Sequence, residues 1–268
     1  MFDTHLHTKY SGDSDSEPPL LIEKAKSIGL SGLVFTDHYD LDYKIEPDLF
    51  NLNIPAYITN ISSLKDSYQD FHIGVGIELG LQPHLSETYS NVLSNYDFDF
   101  CIGSVHGING LDPYYDEFFE GLDISARFHE YFEYVLENIN TFSQFDSLGH
   151  LDYIIRYAND FCLRNGMALV AIEEDDLIRE ILAKVINMDK CLEVNTGSFR
   201  YGFKEPNPSY DILRTYYSMG GRLITLGSDA HRIDEVGIQF DEVTTILKEI
   251  GFKSQMVFDK RIPTEYPI

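Results

Sequence analysis

Cysteine is scarce in this sequence. Cys101, Cys162 and Cys191 are the three present; they lie far apart, are odd in number and form no CxxC pair. The plain reading is buried structural thiols in a reducing compartment. Positive charge is also thin. Lys and Arg total 20 against 44 Asp and Glu, a formal charge of −24, and the basic residues are scattered. Such a surface repels polyanions at long range, and with no local basic patch in the sequence nucleic acid is not an expected partner. Long apolar runs are missing as well: no stretch approaches the ~18 residues of a membrane span. The start, Met1-Phe2-Asp3-Thr4-His5, has neither the basic region nor the apolar run of a signal peptide. No membrane partner is expected, and cytoplasmic residence follows by default. There is no internal repeat, low-complexity tract or linker, so residues 1–268 are expected to form one domain.

What is present is the composition of a globular enzyme, 43% hydrophobic and 13% aromatic. Short apolar runs alternate with longer helical patterns. Strands are expected at Phe2–His7, Leu33–Thr36, Ile73–Glu78, Phe98–His106, Phe145–His150, Cys191–Asn195 and Arg222–Gly227, with a last short one near Met256–Phe258. Helices are expected at Pro18–Ile28, Ile61–Tyr68, Leu85–Leu93, Ala126–Asn140, Tyr153–Asn165, Asp176–Asn187, Ser209–Met219 and Val243–Ile250. About seven βα units in strict alternation predict an α/β fold with a parallel sheet covered by helices, and an α/β barrel of ~250 residues is one ordinary solution. Two long polar and aromatic loops, Asp40–Pro55 and Asn109–Ser125, are expected to cover a binding site.

The strand ends carry the chemistry. They read His5-Leu6-His7, Thr36-Asp37-His38, Gly76-Ile77-Glu78, Gly103-Ser104-Val105-His106, Gly149-His150-Leu151-Asp152 and Gly227-Ser228-Asp229-Ala230-His231. Residues two apart on a strand share a face, so His5 and His7 can reach one ion. In a parallel barrel all carboxyl ends meet at one mouth, where active sites lie. Six of the nine histidines fall at such ends, with small residues before many of them. Packing explains one such histidine; it does not explain six with matching carboxylates, because crowded imidazoles repel when protonated and need partners when neutral. A metal cluster answers both demands. His72, His84 and His129 are left as surface or substrate-loop residues.

The motifs His5-Leu6-His7-Thr8, Thr36-Asp37-His38, Glu78, Ser104-Val105-His106, Gly149-His150-Leu151-Asp152 and Ser228-Asp229-Ala230-His231 together resemble the PHP superfamily, polymerase and histidinol phosphatase. The segments Gly149–Arg156 and Glu193–Thr196 resemble its histidinol-phosphate phosphatase branch. The resemblance implies a distorted (β/α)7 barrel with a trinuclear metal centre at the C-terminal face of the strands, holding zinc, manganese or iron. It implies a first metal on His5, His7, Glu78 and Asp229, a second on Glu78, His106 and His150, and a third on Asp13, His38 and His231. Many phosphatase relatives have histidine where this chain has Asp13, and Asp15 competes for that place.

Three divalent ions outweigh the three carboxylates and a hydroxide by about two positive charges, which suits a phosphate monoester dianion. The expected reaction is hydrolysis of L-histidinol phosphate, a step of histidine biosynthesis, by a metal-bridging hydroxide. Asp229 or His231 would handle the leaving-group proton. Arg156 and Arg200 each offer a planar fork to phosphate. Asp37 and Glu193 are expected to orient ligand histidines. The loops Tyr39–Tyr43 and Pro113–Glu117 have the carboxylates and aromatic faces a histidinol pocket would use. Two other readings stay open: a PHP phosphoesterase for nucleotides or other small phosphate esters, and a degenerate module with a binding role. The oligomeric state is not legible.

Overall fold

The computed structural model describes residues 1–44, 46–121, 123–169 and 176–268. Residues 45 and 122, within the two long loops expected above, lie outside the described set. In chain order the elements are β1 (Phe2–Asp3), α1 (Pro18–Ser27), β2 (Gly32–Phe35), β3 (His38–Tyr39), α2 (Ile54–Ser67), β4 (His72–Gly80), α3 (Ser86–Asn95) and β5 (Phe100–Ser104). There follow α4 (Ile124–Thr141), β6 (Ser147–Leu148), α5 (Ile154–Arg164), α6 (Asp176–Asn187), β7 (Cys191–Asn195), α7 (Tyr210–Ser218), β8 (Ile224–Gly227), α8 (Phe240–Ile250), β9 (Ser254–Asp259) and β10 (Ile262–Pro267).

Seven strands run parallel in the order β1-β2-β4-β5-β6-β7-β8, and β3 extends the edge of β4 toward the mouth. Their apolar runs are buried on both faces, as parallel strands under helices require. The barrel closes between its first and last strands just where the motifs lie. Thr4 N–H donates to Leu226 O at 2.9 Å, Asp229 N–H to His5 O at 2.7 Å and His7 N–H to Ala230 O at 2.8 Å. The seam thus threads His5–His7 past Gly227–Ala230, and a fold-closing ladder fixes the site's backbone.

Local signals set the helix ends. α1 starts on Pro18-Pro19 and stops before Gly29, whose φ of +79° suits glycine. Asn53, Asp123 and Ser209 cap α2, α4 and α7 through their side chains.

Several boundaries differ from expectation. Phe2–His7 is regular strand only over Phe2–Asp3, with one further bridge at Leu6, because the chain turns to present its histidines. The second helix begins at Ile54 rather than Ile61; the Asn53 cap and Pro55 start it inside the segment read as loop. The strand near Met256–Phe258 is not a barrel strand. It pairs antiparallel with β10 and plugs the bottom, where Phe258 stacks on Phe100 at 5.1 Å. The Gln255 amide bonds both Phe2 N and Phe2 O there, at 3.0 and 2.9 Å. With the bottom filled by side chains, the mouth at the carboxyl ends is where ligands can enter. Among the described residues no helix is long and apolar enough to cross a membrane.

Candidate active site

Glu78, fully buried at the end of β4, is the hub of the mouth. Its Oε1 lies 3.2 Å from His106 Nε2 and 3.1 Å from His150 Nε2. Its Oε2 lies 3.2 Å from His5 Nε2, 3.5 Å from His7 Nε2 and 2.9 Å from His38 Nδ1. Ser104 Oγ donates to Oε1 at 2.6 Å. Burial alone would raise the Glu78 carboxyl, but the imidazoles of His5, His38 and His106 outweigh it and hold the group well below the usual range. Gly149 lets this happen: a Cβ there would run into Ser104 Oγ.

A second carboxylate sits across from the hub. Asp229 Oδ1 is 3.2 Å from His7 Nε2 and 3.5 Å from His231 Nδ1, and Oδ2 is 3.6 Å from Arg200. Its φ is +53°, a conformation Asp tolerates better than most residues but which still costs about 1 kcal/mol or more. The Asp3 carboxylate secures this turn by accepting from Ser228 N at 2.9 Å and Ser228 Oγ at 2.5 Å. Asp13 completes the third corner, with Oδ2 3.0 Å from His231 Nε2 and 3.6 Å from His38 Nε2. Asp15 is exposed.

The outer nitrogens decide what the inner ones can do. His5 Nδ1 lies 2.5 Å from Glu193 Oε1, His106 Nδ1 2.6 Å from Asp40 Oδ2, and His231 Nδ1 2.9 Å from the Asp229 carbonyl. Each partner is an acceptor, so each Nδ1 carries a proton and Nε2 is the nitrogen left for an ion. The facing carboxylates, Glu193 and Glu78 at His5 and Asp40 and Glu78 at His106, outweigh burial and favour a second proton there, the place a metal ion would take. His7 follows the same rule through Ser11. The Ser11 hydroxyl donates to Asp37 Oδ1 at 2.8 Å, which leaves its oxygen to accept from His7 Nδ1 at 3.1 Å. The inward Nε2 atoms therefore face carboxylate oxygens and one another, His5 and His7 at 3.1 Å. Neutral imidazoles crowded like this would set lone pair against lone pair and carboxylate, so a cation, a proton or a metal ion, has to lie among them. His150 Nδ1 is moreover buried with no hydrogen-bond partner among the described residues, and Glu78 Oε2 and His38 Nδ1 meet at 2.9 Å as an ion pair without hydrogen-bond alignment. The donor set fits divalent metal ions. Ligand atoms close enough to share an ion occur in the groups His5, His7, Asp229; Glu78, His106, His150; His7, His38, His231; and His38, Asp40, His106.

The mouth opens into a cleft of about 530 Å³. Arg156 and Arg200 both line it, but they differ in company. Arg200 pairs with Glu235 at 3.1 Å and reaches the Asp229 carbonyl. Arg156 has no carboxylate partner among the described residues. Its guanidinium carbon sits over Tyr201, Tyr157 and Tyr153, at 4.3, 4.4 and 5.0 Å from the ring centres, an aromatic box that leaves its charge to attract an anion.

Two roles differ from expectation. Asp37 orients no imidazole directly; it accepts from Thr8 N at 2.7 Å and Ser11 N at 3.0 Å, and acts on His7 through the Ser11 hydroxyl. Asp40, read as part of a substrate loop, is committed to His106 instead. Tyr43, Tyr114 and Tyr115 do line the cleft, while Asp116 is tied to Arg164 at 2.6 Å. His84 and His129 are exposed, each beside a carboxylate, and His72 is half-buried near Phe2. Ser11 and the box around Arg156 escaped sequence reading. The box had a signal: Tyr153 and Tyr157 are four apart at the head of α5 and share a face with Arg156.

The PHP domain profile matches residues 3–197 of this sequence. The chain belongs to the PHP domain family. Within this family it is 30% identical to the histidinol-phosphatase of Lactococcus lactis over 259 residues, covering 96% of this chain and 93% of that one. It is also 30% identical to the "Probable histidinol-phosphatase" of Clostridium acetobutylicum, covering 98% of both. The crystal structure of the Lactococcus lactis histidinol phosphate phosphatase, solved with zinc, L-histidinol and phosphate, superposes on this PHP chain with a TM-score of 0.85, covering 98% of each at 27% identity. A Listeria monocytogenes structure, 19% identical with a TM-score of 0.78, shares the fold.

Proposed function

We propose that this chain is a metal-dependent phosphomonoesterase that hydrolyses L-histidinol phosphate to L-histidinol and phosphate. The observation that carries this is the set of imidazole nitrogens converging on Glu78 beside an arginine with no carboxylate partner among the described residues. The Lactococcus lactis relative, with zinc, L-histidinol and phosphate bound, supports the choice of ester.

Three divalent ions, zinc, manganese or iron, are assigned to the site: one on His5, His7, Glu78 and Asp229, one on Glu78, His106 and His150, and one on Asp13, His38 and His231. Ions bound there supply Lewis acidity, screening phosphoryl charge and acidifying water. The remaining work falls to side chains. Arg156 binds the phosphate oxygens from its aromatic box and orients phosphorus toward the hub. Arg200, expected as a second phosphate fork, is tied to Glu235 and to Asp229 and instead steers Asp229, whose carboxylate takes the nucleophile's proton and returns one to the leaving alkoxide; His231, at the open edge of the cleft, is the second proton donor. The substrate is a small molecule, since long polyanions are repelled by the acidic exterior. The free, buried thiols of Cys101, Cys162 and Cys191 suit a cytoplasmic enzyme.

The test is phosphate release by purified, metal-loaded protein from L-histidinol phosphate, nucleotides and other monoesters. L-Histidinol phosphate is expected to lead. A kcat/KM more than about a thousandfold below that of another ester would overturn the assignment.

A further inference from the structure

The carboxylates of the cleft are nearly all spoken for. Asp13 faces His231, Asp40 holds His106, Asp229 lies between His7 and Arg200, and Glu235 pairs with Arg200. Asp112 differs. It lines the cleft beside His106 and Tyr43, yet its partners are neutral: Tyr43 Oη donates to Oδ2 at 3.0 Å and Tyr114 N–H to Oδ1 at 2.8 Å. Among the described residues it has no cationic partner. Glu46, also in the cleft lining, is exposed to water and needs none.

The cleft therefore holds one guanidinium without a carboxylate, Arg156, and one sheltered carboxylate without a cation, Asp112. We propose that Asp112 is the anchor for the substrate's ammonium group, so that the enzyme reads its substrate as a zwitterion: phosphate at Arg156, amine at Asp112. This rests on the histidinol-phosphate reading above. The two hydrogen bonds turn the carboxylate without neutralising it, and each oxygen keeps a lone pair for an N⁺–H donor. An ester lacking the amine leaves that carboxylate desolvated and unpaired, which is how a site rejects a close analogue.

The experiment compares L-histidinol phosphate with its des-amino analogue on metal-loaded wild type and Asp112→Asn. Asparagine keeps an acceptor for the Tyr114 N–H and removes the charge. The wild-type preference for the amine-bearing ester, in kcat/KM, is expected to fall by about tenfold to a hundredfold in the variant, mostly through KM. A preference that survives the substitution, or wild type with none, overturns the proposal. No wild-type turnover of L-histidinol phosphate at all overturns the parent reading, and the proposal with it. Two inhibition constants guard against simple misfolding. Inorganic phosphate is expected to inhibit variant and wild type alike, while L-histidinol loses potency on Asp112→Asn; loss of both in parallel counts against an amine anchor.

Discussion

Glu193 and His5 meet at 2.5 Å between Oε1 and Nδ1, both fully buried. The other oxygen of Glu193 accepts from His150 N at 2.7 Å and Asn195 Nδ2 at 3.2 Å. One carboxylate thus positions two of the proposed ligands. Glutamine at this position has a single acceptor oxygen and cannot serve both. Glu193→Gln is expected to weaken metal binding by about tenfold to a hundredfold, read by titrating the apoprotein against a competing chelator. Wild-type metal affinity in this variant would mean that His5 needs no orienting partner.

Arg156 and Arg200 should separate in kinetics. Arg156→Ala removes a charge-assisted contact to phosphate and is expected to weaken inhibition by inorganic phosphate by about tenfold to a hundredfold. Arg200→Ala frees Asp229 and should fall mainly on kcat. If both variants lose phosphate affinity equally and keep kcat, the division of labour between them is wrong.

Asp229→Asn keeps the shape and removes the charge set between His7 and Arg200. Turnover is expected to drop by about a hundredfold or more. The check is single-turnover phosphate release with metal content measured in the same sample, because a ligand loss and a proton-transfer loss differ in bound metal.

Removing metal should cost stability as well as activity. Without metal ions only protons hold these crowded imidazoles and carboxylates together, and the metal's binding energy for the folded state is lost, so chelation is expected to lower Tm and abolish turnover, with both restored by adding a divalent ion. An apoprotein that melts at the holoprotein's temperature would speak against ions at these residues.

Acid sensitivity is expected at the barrel's bottom. Asp99 accepts from Lys65 Nζ at 2.7 Å and Val75 N at 2.8 Å. Burial would raise its carboxyl, but these partners hold it below its ordinary value of 3.8. A depressed carboxyl contributes stability in full above that value and loses it as pH falls through the folded-state pKa. The Tm gap between wild type and Asp99→Asn should be open at neutral pH and narrow below about pH 4. A gap that stays constant to about pH 3 would show that charge plays no part.

The alternating βα pattern and the residues at the strand ends were legible in the sequence because both are local properties. Strand period and carboxyl-end position place His5, His7, Glu78, His106 and His150 at one mouth whatever the loops do. What only the tertiary structure decided is how each imidazole is turned and charged. The acceptor for His5 Nδ1 is 188 residues away in the chain and that for His106 Nδ1 is 66 away; no local spacing encodes such pairs. The same holds for Asp37, whose effect passes through Ser11, and for the contrast between a partnered Arg200 and an unneutralised Arg156. It holds too for Asp112, which lies within the Asn109–Ser125 loop expected to cover the site but one residue before the Pro113–Glu117 segment expected to meet substrate. Which buried charges are already paired depends on long-range packing, and that pairing determines which of them are left for a ligand.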